Sequence, residues 1–146
     1  MATLKAIQAL IDLSSRESET AATRLSDANK TQSQAQQQLT MLEEYRLEYA
    51  DQLQTKLAQG LSLSSYTNYQ QFLAKLDHTI SQQRRILQNT LVVVEKHRSD
   101  WQASERKRLS YSTLTKRAEE ALRHHENKRD QKQTDEHAAR ITMRRL

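Results

Sequence analysis

"AQGLSLSSY", residues 58–66, holds the only glycine of a 146-residue chain that has no proline. Turns ordinarily draw on one or the other. Gly60 is therefore the one residue here that enters the left-handed helix-terminating conformation at little cost. The serines after it, Ser62, Ser64 and Ser65, are of the type that caps a new helix. The stretch predicts a first helix over about 3–59, a turn over about 60–64 and a second helix over about 65–140. A connection this short between helices this long directs them back along each other as an antiparallel hairpin.

On the N-terminal side of the turn, positions 4, 7, 11, 14, 18, 21, 25, 28, 32, 35, 39, 42, 46, 49, 53 and 56 alternate spacings of three and four. They collect Leu4, Ile7, Ile11, Ala21, Leu25, Ala28, Ala35, Leu39, Leu42, Tyr49 and Leu53, with Ser14, Ser18, Gln32, Arg46 and Lys56 as polar exceptions. A heptad sustained this long is a coiled-coil seam, and the exceptions make it a loose one. On the C-terminal side the partner seam runs through Tyr69, Leu73, Leu76, Ile80, Gln83, Leu87, Thr90, Val94, His97 and Trp101. It weakens through Tyr111, Ala118 and Leu122 to Ala139, Met143 and Leu146. The expected fold is all-α: a rod-like, antiparallel two-helix coiled-coil hairpin forming one domain over 1–146.

A turn centred on Gly60 and Leu61 pairs residues whose numbers sum to a constant. Gln38 then faces Gln83, Leu42 faces Thr79, Tyr45 faces Leu76 and Tyr49 faces Phe72, while Trp101 falls opposite Thr20 and Ala21. The paired part would extend about 80 Å, and residues 118–146 would form an unpaired overhang of roughly 40 Å if helical.

Composition restricts function. The chain has no cysteine, hence no disulfide framework and no thiolate metal site. A polar chain of this kind could be disordered, but the apolar period argues for helices. The N-terminal stretch MATLKAIQALIDLSS lacks the layout of a secretory signal. The most apolar run, LVVV at 91–94, is far shorter than the roughly 20 residues that cross a bilayer. A soluble, cytoplasmic protein is expected. Net charge is −2 over residues 1–60 and +7 over 61–146. The basic half has acids mixed in and no groove-reading motif, so a solvated helix face is favoured over nucleic-acid binding.

Catalysis has no foothold. One glycine cannot make a phosphate loop. His124 and His125 are adjacent and diverge by about 100° on a helix, and His78, His97 and His137 show no metal-ligand spacing. No enzyme, cofactor or metal is expected.

A second stripe leaves the first seam within "QLTMLEEYRLEY", residues 38–49. Tyr45 and Phe72 stand one step off the two seams. With Gln38, Leu42, Tyr49, Leu76, Thr79 and Gln83 they would form a patch on one edge near the turn. Such a patch is either a binding site or a broad seam with aromatics folded over its edge. The C-terminal run ENKRDQKQTDEHAARITMRRL has i,i+3 and i,i+4 partners that support a helix by itself. It is either a fraying charged tail or a helix that lies on a partner.

The ordered set QLTMLEEYRLEY, the Gly60 turn followed by NYQQFLAKLDHTI, the single tryptophan in HRSDWQ, and NKRDQKQTDEHAARITMR resembles the FliJ family of the bacterial flagellar type III export apparatus, over essentially the whole chain. The resemblance implies an antiparallel coiled coil like the central stalk of rotary ATPases. It implies a non-enzymatic adaptor that promotes assembly of the export ATPase FliI, alongside its regulator FliH. It further implies a link to the cytoplasmic domain of the export gate protein FlhA, a cycle of export chaperones, and peripheral association with the inner-membrane apparatus. The family's gate-binding surface matches Gln38, Leu42, Tyr45, Tyr49, Phe72 and Leu76. Thr79 and Gln83 complete it, where enterobacterial relatives carry alanine and histidine. The family's C-terminal motif matches Lys132, Asp135 and Glu136, which suggests an ATPase contact. The equivalent stalk of a virulence secretion system and a purely structural, dimerising coiled coil remain alternatives.

Overall fold

The computed structural model describes residues 2–145, with the side chains of Ala2 and Thr3 left aside. Met1 and Leu146, the ends of the expected domain and the last member of the second seam, lie outside the described residues. The fold is all-α: helix α1 (Ala2–Gln59) and helix α2 (Leu63–Arg145) pack against each other. Both elements are built from residues that favour helix.

Gly60 ends α1 at φ +96, where any other residue would be strained, and its N–H donates to Leu57 O at 3.3 Å. Ser62 caps α2, its Oγ accepting the Ser65 N–H at 3.2 Å and so satisfying a donor the first turn leaves free. The cap sets the start of α2 at Leu63, two residues ahead of the expected 65. At the other end no glycine or proline stops the helix before Arg145, five residues past the expected 140.

The chain forms two compact units, Thr20–Trp101 around the turn and Met1–Glu19 with Gln102–Leu146. In the first, Gln83 Nε2 donates to Ala35 O at 3.1 Å and to Gln38 Oε1 at 3.2 Å. Arg84 reaches Glu43 at 3.4 Å, and Arg46 pairs with Asp77 through two hydrogen bonds. Numbers rise on one helix as they fall on the other, which is an antiparallel register, and Gln38 meets Gln83 as the turn arithmetic requires. The core holds Leu53, Leu73 and Leu76, with Tyr49, Ala50, Leu61, Tyr69 and Phe72 packed against it. Ala28, Ala35, Leu39, Ile80 and Val94 continue the buried seam.

Trp101 borders a groove with Ala22, Leu25, Ser26 and Asn29, slightly nearer the turn than the expected Thr20 and Ala21. Helical side chains lean toward their own N-terminus. On α2 that direction is toward the turn, so the indole meets higher numbers on α1 than its Cα faces.

In the second unit, the polar interruptions of the α1 seam are buried and satisfied. Ser14 Oγ donates to Ile11 O at 2.9 Å. Ser18, 5% exposed, donates its hydroxyl to Glu105, which also takes two bonds from Arg108. These bonds hold the Glu105 carboxyl below its usual value, Arg108 contributing most and Ser18 next. Of the sixteen α1 heptad positions only Lys56 is exposed. On α2, every described residue from 123 to 145 is exposed.

Candidate functional site

The edge grouping splits on burial. Leu76 and Gln83 are buried, at 7% and 8% exposure, and belong to the seam between the helices. Their positions on α2 are those of the second heptad row, and a residue on that row points at α1 whatever patch it adjoins. Gln38, Tyr45 and Thr79 are exposed, and Leu42, Tyr49 and Phe72 are half-buried.

The aromatic residues form a chain of ring contacts across the edge. Tyr49 is its hub, with centroids 4.5 Å from Phe72 and 4.8 Å from Tyr69. Tyr45 stands outside the hub. Its ring lies 6.0 Å from Phe72 in a T-shaped arrangement and 6.3 Å from Tyr49, both within the range where ring quadrupoles attract. The Lys56 ammonium sits 5.4 Å from the centre of the Tyr69 ring, and the Tyr69 side chain beside it raises its pKa. Two neighbours therefore hold Tyr45 while its outer face stays open to solvent.

Beside Tyr45 lies a groove of about 570 Å³ lined by Gln38, Met41, Leu42, Glu44, Tyr45, Glu48 and Gln83. The groove has an apolar floor, two amides and an acidic rim. Four of the eight residues expected from the sequence line it. Tyr49 and Phe72 touch the Tyr45 ring and pack on the core that holds Leu76, and Thr79, whose hydroxyl donates to Lys75 O at 2.9 Å, stands exposed on the α2 side. Met41, Glu44 and Glu48 were not among the expected residues. The signal for them was their spacing of four before, one before and three after Tyr45, which places them on its outer flank.

Lys132, Asp135 and Glu136 lie on the exposed end of α2, away from this groove in sequence and with no burial to organise them. Among the described residues there is no cluster of metal-binding side chains, and no helix is long and apolar enough to cross a membrane.

The description "Flagellar FliJ protein" matches residues 4–146 of this chain. The chain belongs to the FliJ family. It is 34% identical over 145 residues to the flagellar FliJ protein of Escherichia coli (strain K12), a match that takes in 99% of each chain. The flagellar FliJ protein of Salmonella typhi is 34% identical over the same share. FliJ proteins are flagellar components, so a flagellar role is established here at the level of the family.

Proposed function

We propose that this chain is a non-enzymatic adaptor of the flagellar type III protein export apparatus. Its edge near the turn docks on the cytoplasmic domain of the export gate protein FlhA. The exposed end of α2, with Lys132, Asp135 and Glu136, contacts the export ATPase FliI and promotes assembly of its ring, in company with the regulator FliH. Export chaperones are further, transient partners, and association with the inner-membrane apparatus is peripheral.

The observation that carries this reading is Tyr45. A tyrosine 47% exposed, braced by Phe72 and Tyr49 at the mouth of a formed groove, is arranged as an interface anchor. Such aromatic anchors dominate binding energy when a partner covers them, and a pre-ordered ring loses little freedom on docking. Family membership supplies the apparatus, and the gate is the partner that the resemblance assigns to this edge.

The test is a titration of the gate's cytoplasmic domain with the wild-type chain, Tyr45→Ala and Phe72→Ala, with circular dichroism confirming unchanged helicity. Tyr45→Ala should weaken binding by about 2 kcal/mol, the loss typical of an anchor. Equal binding by the folded variants would make the edge part of the helix packing and move the gate contact elsewhere.

A further inference from the structure

The groove beside Tyr45 is one end of a longer feature. A second, more apolar cleft of about 210 Å³ is lined by Ala28, Thr31, Ile86, Asn89, Thr90 and Val93, all within the Thr20–Trp101 unit. The Gln38–Gln83 pair that borders the first groove becomes Thr31–Thr90 when each number moves one heptad away from the turn, and both of those line the second. The two grooves therefore open on the same flank. Their α1 wall follows strict sevens through Tyr45, Gln38 and Thr31, and on α2 Ile86 and Val93, which line the second groove, continue the heptad row of Phe72 and Thr79.

Ile86 and Val93 are 49% and 45% exposed. Their spacing is that of Phe72 and Thr79 before them, and successive members lie about 10 Å apart on a helix. A row of seven-residue period on each of two adjacent helices is what the third helix of a coiled-coil bundle packs into. An extended peptide, with a side-chain repeat of about 7 Å, does not match it. Apart from the exposed Lys30, two heptads before Glu44 on α1, the rims carry opposite signs. On α1, Glu44 and Glu48 line the first groove, and Asp27, exposed, stands three heptads before Glu48. On α2, the exposed Lys75 and Lys96 follow Phe72 and Val93 by three residues and are themselves three heptads apart.

We propose that this flank seats a single partner α-helix of about 20 residues. The helix carries apolar residues every seven positions, basic side chains toward the Glu48 rim and acidic ones toward the Lys75–Lys96 rim. Seating it turns the helix pair into a local three-helix bundle. Ile86 and Val93 are then anchors in addition to Tyr45, and the docking edge extends two heptads farther from the turn than the family resemblance assigns. The inference rests on the adaptor reading and names the part of the gate domain that docks.

The experiment titrates the gate's cytoplasmic domain with the full chain as wild type, Tyr45→Ala, Ile86→Glu, Val93→Glu and the double variant Glu44→Gln, Glu48→Gln. Hydrogen exchange of the gate domain is followed with and without the wild-type chain. Ile86 and Val93 are exposed, so their variants should keep wild-type helicity by circular dichroism. Each should bind about tenfold or more weakly, as expected for a buried anchor turned into a charge. The Glu44, Glu48 variant should bind less tightly and with a flatter salt dependence. Gate-domain protection should fall on one continuous helical stretch. If Tyr45→Ala weakens binding while Ile86→Glu and Val93→Glu do not, the adaptor reading stands and the longer seat is overturned. The same holds if protection maps to a non-helical segment. Failure of the wild type to bind overturns both. A wild-type dimer abolished by Ile86→Glu would make a second copy of this chain the occupant and overturn the gate helix.

Discussion

Gln83 shows how one polar side chain can sit in a coiled-coil seam at tolerable cost. It is buried, yet its amide donates to both Ala35 O and Gln38 Oε1, so desolvation is offset by hydrogen bonds. A bond to one particular carbonyl also favours one register over its neighbours, since a slipped pairing would leave the amide unsatisfied. Gln83→Ala should lower the unfolding free energy by about 2 kcal/mol, combining a cavity with the lost bonds. Gln83→Leu fills the same space without a polar group, so it should change stability by less than about 1 kcal/mol. Urea denaturation with linear extrapolation checks both, and a larger loss for leucine than for alanine would contradict this account of the seam.

The elements divide into a well-determined turn and a bare helical end. An added Cβ at Gly60 would touch nothing within 4 Å, so the cost of replacing it lies in backbone conformation alone. Gly60→Ala should destabilise the hairpin by about 1 kcal/mol, and Gly60→Asn by less, because asparagine tolerates the left-handed region better. Thermal melts of the two variants would rank them. The end of α2 behaves differently. Residues 123–145 are helical yet exposed at every position, so they lack the tertiary packing that supplies most helical stability in proteins. Truncation after Arg123 should leave the main unfolding midpoint within about 2 °C of wild type, because almost no buried surface is lost. Amide exchange in 123–145 should be far faster than around Leu53 and Ile80. Protection of that segment on adding the export ATPase would tie it to the proposed contact.

For the whole molecule, acid is the informative perturbation. Asp77 is held below its usual pKa, chiefly by its hydrogen bond from Arg46, and Glu105 by those from Arg108 and Ser18. A carboxyl whose folded pKa is depressed contributes stability that is complete above its unfolded value and is lost as pH falls through the folded one. Stability should thus be level near neutrality, begin to fall as pH enters the ordinary carboxylate range, and keep falling below it. Because Arg46 and Asp77 are about half exposed and Arg108 and Glu105 remain partly exposed, solvent screens both pairs and the slope should be shallow. Thermal melts from pH 7 to roughly pH 3 should show the double variant Asp77→Asn, Glu105→Gln starting lower and falling less steeply. An unchanged acid slope would mean that neither pair contributes.

The seams, the single turn and the antiparallel pairing were determined by the sequence alone. A heptad row and one glycine in a proline-free chain are local signals, and Gly60, Leu39, Ile80 and the Gln38–Gln83 pair all sit where spacing puts them. Family membership was legible too, from motifs held in order along the chain. The candidate edge was legible only in part. Spacing put Leu76 and Gln83 on the seam and Tyr45 one step off it, yet all eight residues were grouped on one edge, and only burial shows that Leu76 and Gln83 face the other helix while Tyr45 faces solvent. It also passed over Met41, Glu44 and Glu48 in the groove and Ile86 and Val93 in the cleft beyond. Those distinctions depend on the angle at which each side chain leaves its helix and on what the opposing helix covers. Periodicity in one strand of sequence carries the first only approximately and the second not at all, so only packing in three dimensions decided them.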